Sequence, residues 1–323
     1  MKRKINRVGP ATYTVSLPKK WVEEQKLKKG DEIEVEERGN TVVVSSSKNP
    51  VAKRAKVHVI PHKATLIRTI YHCYKNGLDE LEMTFDDPIC AKMTEEVINK
   101  FIGFEIIDQS DNSITIKSIT EVSEKDFEKT FKRLFDITLY FARKTYENLS
   151  QAKFGLLLTA ANIEKTQNKL YLFCLRSLNL FKERLKEMPT FYYLLAQRLE
   201  DIGDSYRFIC EHYSKEHPNK ISKETLRLIE DVNKQLNCIY DAYYNFSMEK
   251  NANNFEIHQE LKTRAKQLLL SQPKEEMFLI SRLSKLIVDI EDAGEPIFEI
   301  NLKLQNNTMV AENNSKSNLS PPF

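Results

Sequence analysis

The first fifty residues constrain the fold more than any other part of this chain. Tyr13, Val15 and Leu17 alternate with Thr12, Thr14 and Ser16, the period-two pattern of a strand with one face buried. Pro18 stops that strand and suits a helix start, because it has no backbone N–H to satisfy. A short amphipathic turn is expected from Lys19 to Leu27, with Trp21, Val22 and Leu27 facing inward. Gly30 is expected at the helix-terminating position. Ile33 and Val35 then restart the alternation, and Arg38-Gly39-Asn40 turns into Thr41–Val44 to close a hairpin. Lys2, Arg3, Lys4 and Arg7 open the chain with no acid among them, and Lys19 and Lys20 begin the helix.

Gly9, Thr12 to Leu17, Pro18, Trp21, Leu27, Gly30, Asp31, Ile33 and Val35 together resemble the AbrB/MazE/SpoVT swapped-hairpin family of transcription factors. The resemblance implies a dimeric domain over residues 1–48, in which two chains interleave hairpins into one small β-barrel. It also implies that the strand–helix face meets DNA. A segment this short buries too little apolar surface to fold alone, whereas two exchanged copies can close a core. The DNA-contacting set expected on this basis is Lys2, Arg3, Lys4, Arg7, Thr12, Thr14, Lys19 and Lys20. Phosphate neutralisation with counterion release would use such a basic cluster; the alternative is a solvated charged surface.

Length and charge set the rest of the frame. With 323 residues the chain is long enough for two or three domains, and its net charge of +3 makes the basic balance local to the N-terminus. Five scattered cysteines with no Cys-x-x-Cys spacing read as free thiols in a reducing cytoplasm. Lys2 to Arg7 leads into a strand rather than a long apolar core, so no signal peptide is expected, and no apolar run approaches a membrane span. No Gly-rich phosphate loop, G-x-S-x-G elbow or H-E-x-x-H helix occurs, so the chain does not read as an enzyme.

Ser45-Ser-Ser-Lys-Asn-Pro50 marks a boundary, after which residues 51–121 read as a small βαβαββ sandwich. Its strands are expected at 55–60, 78–85, 104–108 and 113–118, with helices at 64–76 and 88–101. His58, His62 and His72 lie within it at irregular spacing, which argues against a metal site and leaves a spacer or second dimer contact. From Val122 the pattern becomes helical: Phe127, Phe131, Leu134, Thr138, Phe141, Thr145 and Leu149 form a stripe at spacings of three and four. Further helices are expected at 154–188, 190–213, 222–246, 255–270 and 273–304, with Pro189 ending the second and the polar run 250–254 separating the fourth from the fifth. Residues 122–304 thus read as a six-helix bundle of two three-helix repeats, and 305–323 as a disordered tail. The fold class is α+β and multidomain.

Arg198-Leu-Glu-Asp-Ile-Gly-Asp204 carries the most distinctive chemistry of the helices. Glu200 and Asp204 lie one turn apart, so their carboxylates share a face and repel unless a cation sits between them. Asp201 adds negative charge, and Gly203 is expected to leave room for close approach. The line is similar to the PhoU family of phosphate-signalling proteins, whose duplicated bundles carry E-x-x-x-D in the third helix of each half. Glu164 and Asn168 would be an accompanying polar pair, and aligning Ile202 with Ile290 places Asp289 and Asp292 opposite Asp201 and Asp204. The resemblance implies a divalent or ferric metal ion on Glu200, Asp204 and Asp201, with Asp289 and Asp292 as the second-half counterpart. Alternatively, these carboxylates face solvent or pair with Arg198 and Arg207.

A chain that joins AbrB-like and PhoU-like parts is similar to archaeal phosphate uptake regulators. That similarity implies a cytoplasmic, homodimeric transcriptional regulator of phosphate homeostasis, with phosphate-transporter components as further partners. The alternative is an adaptor that regulates a transporter by protein contact, its hairpin domain serving only to dimerise.

Overall fold

The structure, a computed structural model, describes residues 1–38, 40–46, 52–120, 122–181, 188–217, 221–305 and 308–311. The chain divides into two compact units, Met1–Arg54 and Ala55–Phe323.

In the first unit, β1 (Asn6–Arg7) pairs antiparallel with β2 (Tyr13–Thr14), α1 spans Lys19–Glu24, and β3 (Ile33–Arg38) pairs antiparallel with β4 (Thr41–Ser46). Pro18 is the extended residue preceding α1, and Trp21, Val22 and Leu27 are partly buried as their spacing requires. The helix ends differently from expectation. Lys26 takes the left-handed conformation (φ 53°), its N–H donating to the Glu23 carbonyl and that of Leu27 to Val22, so the helix is already closed before Gly30. Gly30 (φ 94°) instead serves the turn into β3, closed by Asp31 N–H donating to the Lys28 carbonyl.

No described residue of this unit is fully buried, and Ile5, Val8, Tyr13, Val15, Val35 and Val42 are each more than half exposed. The expected barrel is not closed: the strands form two separate two-stranded ladders. The strand expected over 12–17 is paired only at Tyr13 and Thr14. One chain supplies too few strands to surround a core, which leaves the apolar face of the alternation in water. Ser45 and Ser46 belong to β4; the remainder of the boundary at 47–50 lies outside the described residues.

The second unit begins with β5 (Arg54–His58), α2 (Lys63–Lys75), β6 (Glu80–Thr84), α3 (Ile89–Ile98), β7 (Phe104–Gln109) and β8 (Ser113–Ser118). The sheet order is β5-β6-β8-β7, with β8 antiparallel to both neighbours. Leu81, Met83, Ile114 and Ile116 are fully buried, while the residues alternating with them stay partly or wholly accessible. The three histidines do separate local jobs. His58 Nδ1 meets Thr84 Oγ1, His62 caps α2 by accepting from Thr65 N–H, and His72 contacts Asn76.

The helical part comprises α4 (Glu124–Ser150), a 3-10 turn (Phe154–Leu156), α5 (Leu157–Ala161), α6 (Ile163–Leu180), α7 (Pro189–Glu216), α8 (Lys223–Tyr244), α9 (Met248–Ser271) and α10 (Lys274–Asn301). Six of these are long. Every member of the Phe127-to-Leu149 stripe on α4 is buried. α4, α6 and α7 pack on one another, α8, α9 and α10 do the same, and the two sets meet through α7 with α10 and α4 with α8.

Three expectations about these helices are corrected. Pro189 starts α7 rather than ending its predecessor, because a first-turn residue needs no donor. The second helix is interrupted at Asn162, whose side-chain amide takes the Leu158 carbonyl away from the regular ladder. The polar run 250–254 is helical, since Ser247 caps α9 by accepting from Lys250 N–H. Beyond α10, β9 (Leu302–Gln305) pairs with β10 (Thr308–Ala311), so ordered structure reaches past 305; residues 312–323 lie outside the described residues.

Arg176 of α6 joins the sheet layer to the bundle. It is 2% exposed, donates through Nη1 to the Tyr74 and Leu78 carbonyls at 2.9 Å each, and lies over the Tyr74 and Phe104 rings at 5.0 and 5.1 Å. Asn179 adds a bond to the Lys75 carbonyl at 2.8 Å. Arg176→Ala should destabilise this unit by about 2–3 kcal/mol, because two carbonyls lose a charged donor and two rings lose their cover. Urea unfolding of the full chain measures it, and an unchanged midpoint would contradict the role.

Candidate nucleic-acid interface and carboxylate clusters

The basic residues expected at DNA are all exposed, but not all are free of other work. Lys2, Arg3 and Lys4 precede β1 and carry no secondary structure. Arg7 curls onto its own turn, donating from Nε to the Gly9 carbonyl (3.1 Å) and from Nη2 to the Pro10 carbonyl (2.7 Å). This pins the guanidinium beside the β1–β2 turn without neutralising it. The Thr12 carbonyl accepts from Val8 N–H, and Thr14 Oγ1 donates to the Asn6 carbonyl at 3.4 Å. Lys19 and Lys20 pair with Glu23 and Glu24 at 3.6 and 3.8 Å, one turn along α1. Both lysines are almost fully exposed, so those pairs are weak and a phosphate can displace them.

On the helical unit the structure divides the expected carboxylates between two arginines. Glu200 and Asp204 do share a face of α7, and Glu164 of α6 joins them. Arg207 lies 3.2 Å from Asp204, 3.1 Å from Glu211 and 3.9 Å from Glu164. Asp201 turns the other way. Arg198 bridges it (3.4 Å) to Asp292 of α10 (3.2 Å), and the buried Asp289 pairs with Lys285 at 2.6 Å. The cations opposing this charge therefore come from the chain itself. Among the described residues, no group of three or more His, Cys, Asp or Glu side chains is placed to hold a metal ion. The donors as arranged fit arginine-neutralised carboxylates better than a resident metal.

Glu200 is the outlier. Among the described residues its only hydrogen-bond donor is Gln197 Nε2 at 3.0 Å, which Asp201 shares at 3.2 Å. Burial first, then the charges of Asp204, Asp201 and Glu164, push its carboxyl up to about 7. Burial likewise raises Glu164, with Arg207 opposing that shift. The sheet layer closes one side of the cluster: Tyr71 of α2 feels both Glu164 and Glu200, and Lys100 acts on Glu164. Sequence reasoning missed Tyr71 and Lys100, whose local pattern announces no neighbour 64 or more residues away, and Gln197, which sits one turn before Glu200 on the same helix.

Gly203 has a different purpose from the one its position suggests. It is buried against Gln167 of α6, and a Cβ there would sit 1.6 Å from Gln167 Oε1. Gln167 Nε2 donates to Thr138 Oγ1 at 2.8 Å and to the Leu199 carbonyl at 2.6 Å, tying α6 to α4 and α7. The glycine makes room for this clasp, not for a ligand.

Residues 7–52 match the family model described as antidote-toxin recognition MazE, bacterial antitoxin. The first unit is thus of the MazE/AbrB type, and the match ends where the helical unit's own structure begins. No curated protein and no solved structure matches the chain. Among the described residues, no helix is long and apolar enough to cross a membrane.

Two outcomes follow from this geometry. Glu200 is held above its ordinary value in the folded state, so its contribution to stability is present below about pH 4.5 and lost as pH rises through about 7. Glu200→Gln should therefore match the wild type near pH 5 and exceed it at pH 8, by about 1–2 kcal/mol after solvent screening. Unfolding midpoints across that range measure the difference. Gly203→Ala should destabilise the bundle by about 1–3 kcal/mol through overpacking at Gln167, and Gly203→Ala with Gln167→Ala should recover part of it.

Proposed function

We propose that this chain is a DNA-binding transcriptional regulator of phosphate homeostasis, with the first unit as its DNA contact and the helical unit as its sensory part. The observation that carries the DNA reading is the MazE-type match over residues 7–52, in a unit whose first seven residues hold four cations and no acid. Its exposed apolar alternation supports a homodimer, in which a second copy would bury Tyr13, Val15, Val35 and Val42. The phosphate link rests on the resemblance of Leu199–Asp204 to the acidic motif of PhoU bundles. Sensing in this sense requires two states of the chain that differ in DNA affinity, biased by phosphate status or by a transporter component.

A second reading is favoured by the ion pairs of Lys19 and Lys20 and by the hydrogen bonds that hold Arg7 on its own turn. In it the first unit only dimerises the chain, and the helical unit acts by protein contact. The matched family's name points to antitoxins; the second unit, spanning 55–323 and built on its own core, is more than toxin neutralisation needs.

Salt dependence separates these readings. Binding of the full chain to DNA from upstream of its own gene should weaken with log salt. Replacing Lys2, Arg3, Lys4 and Arg7 by Gln should flatten that slope by about 0.9 per lost phosphate contact. No binding at low salt, or an unchanged slope, would favour the adaptor.

A further inference from the structure

We propose that a cavity among α8, α9 and α10 binds a small amino alcohol, a primary ammonium that also carries a hydroxyl. The cavity measures about 190 Å³ and is lined by residues of all three helices. At its inner side lies Gln235, 1% exposed, whose Nε2 and Oε1 both lack a hydrogen-bond partner. A buried amide left unpaired at both atoms is costly, so the site wants a guest that offers an acceptor and a donor together.

Charge defines the guest further. Glu291 and Glu295, one turn apart on α10, line the same cavity and have no ion pair among the described residues. Phe255, half exposed, and Phe298 supply aromatic surface. An ammonium group donates to the carboxylates and rests against the ring faces, and a hydroxyl on the same guest accepts from Gln235 Nε2 and donates to Oε1. A bare metal ion could use Gln235 Oε1 but would leave Nε2 without an acceptor. Ordered water could satisfy the amide yet would leave two neighbouring carboxylates uncompensated. The volume equals about six waters at ~30 Å³ each, which suits a compound of two to four carbons. The site is separate from the arginine-held clusters of Glu200 and Asp201, and it does not depend on the DNA reading.

The test is thermal unfolding of the full chain with ethanolamine, which carries an ammonium and a hydroxyl, against ethylene glycol and manganese(II) chloride. Ethanolamine should raise the midpoint in proportion to the logarithm of its concentration above Kd, by roughly 3 °C at ten times its Kd, while ethylene glycol does not. Glu291→Gln/Glu295→Gln and Gln235→Leu should abolish the shift. Glu295 is exposed, so Glu295→Gln alone should leave the fold intact and still weaken the effect at least fivefold in Kd. Absence of any ethanolamine shift in the wild type would overturn the proposal. So would a shift unchanged in Glu295→Gln, or a manganese response lost in these variants with ethanolamine inert.

Discussion

A buried guanidinium holds the larger unit of this protein together. Arg176 reaches from α6 into the end of α2, where the Tyr74 and Leu78 carbonyls would otherwise point into an apolar junction. No carboxylate pairs with it among the described residues; its charge is shared between backbone oxygens and two aromatic faces. Burial pulls its pKa down, but an arginine starts so high that it stays charged. The planar fork suits two carbonyls at once, which a lysine could not match. Because α2 is fixed there, Tyr71 on the same helix is also fixed against Glu164 and Glu200.

That placement gives the carboxylate face of α7 a cover made by another part of the chain. Repulsion among Glu164, Glu200 and Asp204 is relieved by Arg207, and among Asp201, Asp289 and Asp292 by Arg198 with Lys285. Glu200 receives the least relief, so a proton takes the place of a cation near neutral pH. α7 therefore meets α6 on one side and α10 on the other, with charge balance differing between the two faces.

The N-terminal unit poses the opposite problem. Its hydrogen bonds and turns are formed, yet no side chain among its described residues is fully buried. Strand ladders of two and six residues cannot enclose a core. Such a unit is stable only when another surface covers its apolar face, which is the physical content of the dimer expected for a MazE-type segment.

Patterns local in sequence were legible without the structure. The α4 stripe from Phe127 to Leu149 and the βαβαββ order of 54–118 each follow from a side-chain period that one element imposes on itself. Helix ends were less legible, because a cap such as Lys26 or Ser247 overrides the composition around it. Nor could Glu200 be told from Asp201 in kind: one residue of helical rotation sends the first toward Glu164 and Tyr71 and the second toward Arg198 and Asp292. By itself the sequence determined most of the strands and helices of the second unit and where acidic and basic residues concentrate. Only the tertiary structure decided that Arg198 also reaches Asp292 and Arg207 also approaches Glu164, that Gly203 yields to Gln167, and that Gln235 is buried beside two glutamates without ion pairs among the described residues. Those outcomes depend on distances between helices far apart in the chain, and no local period encodes them.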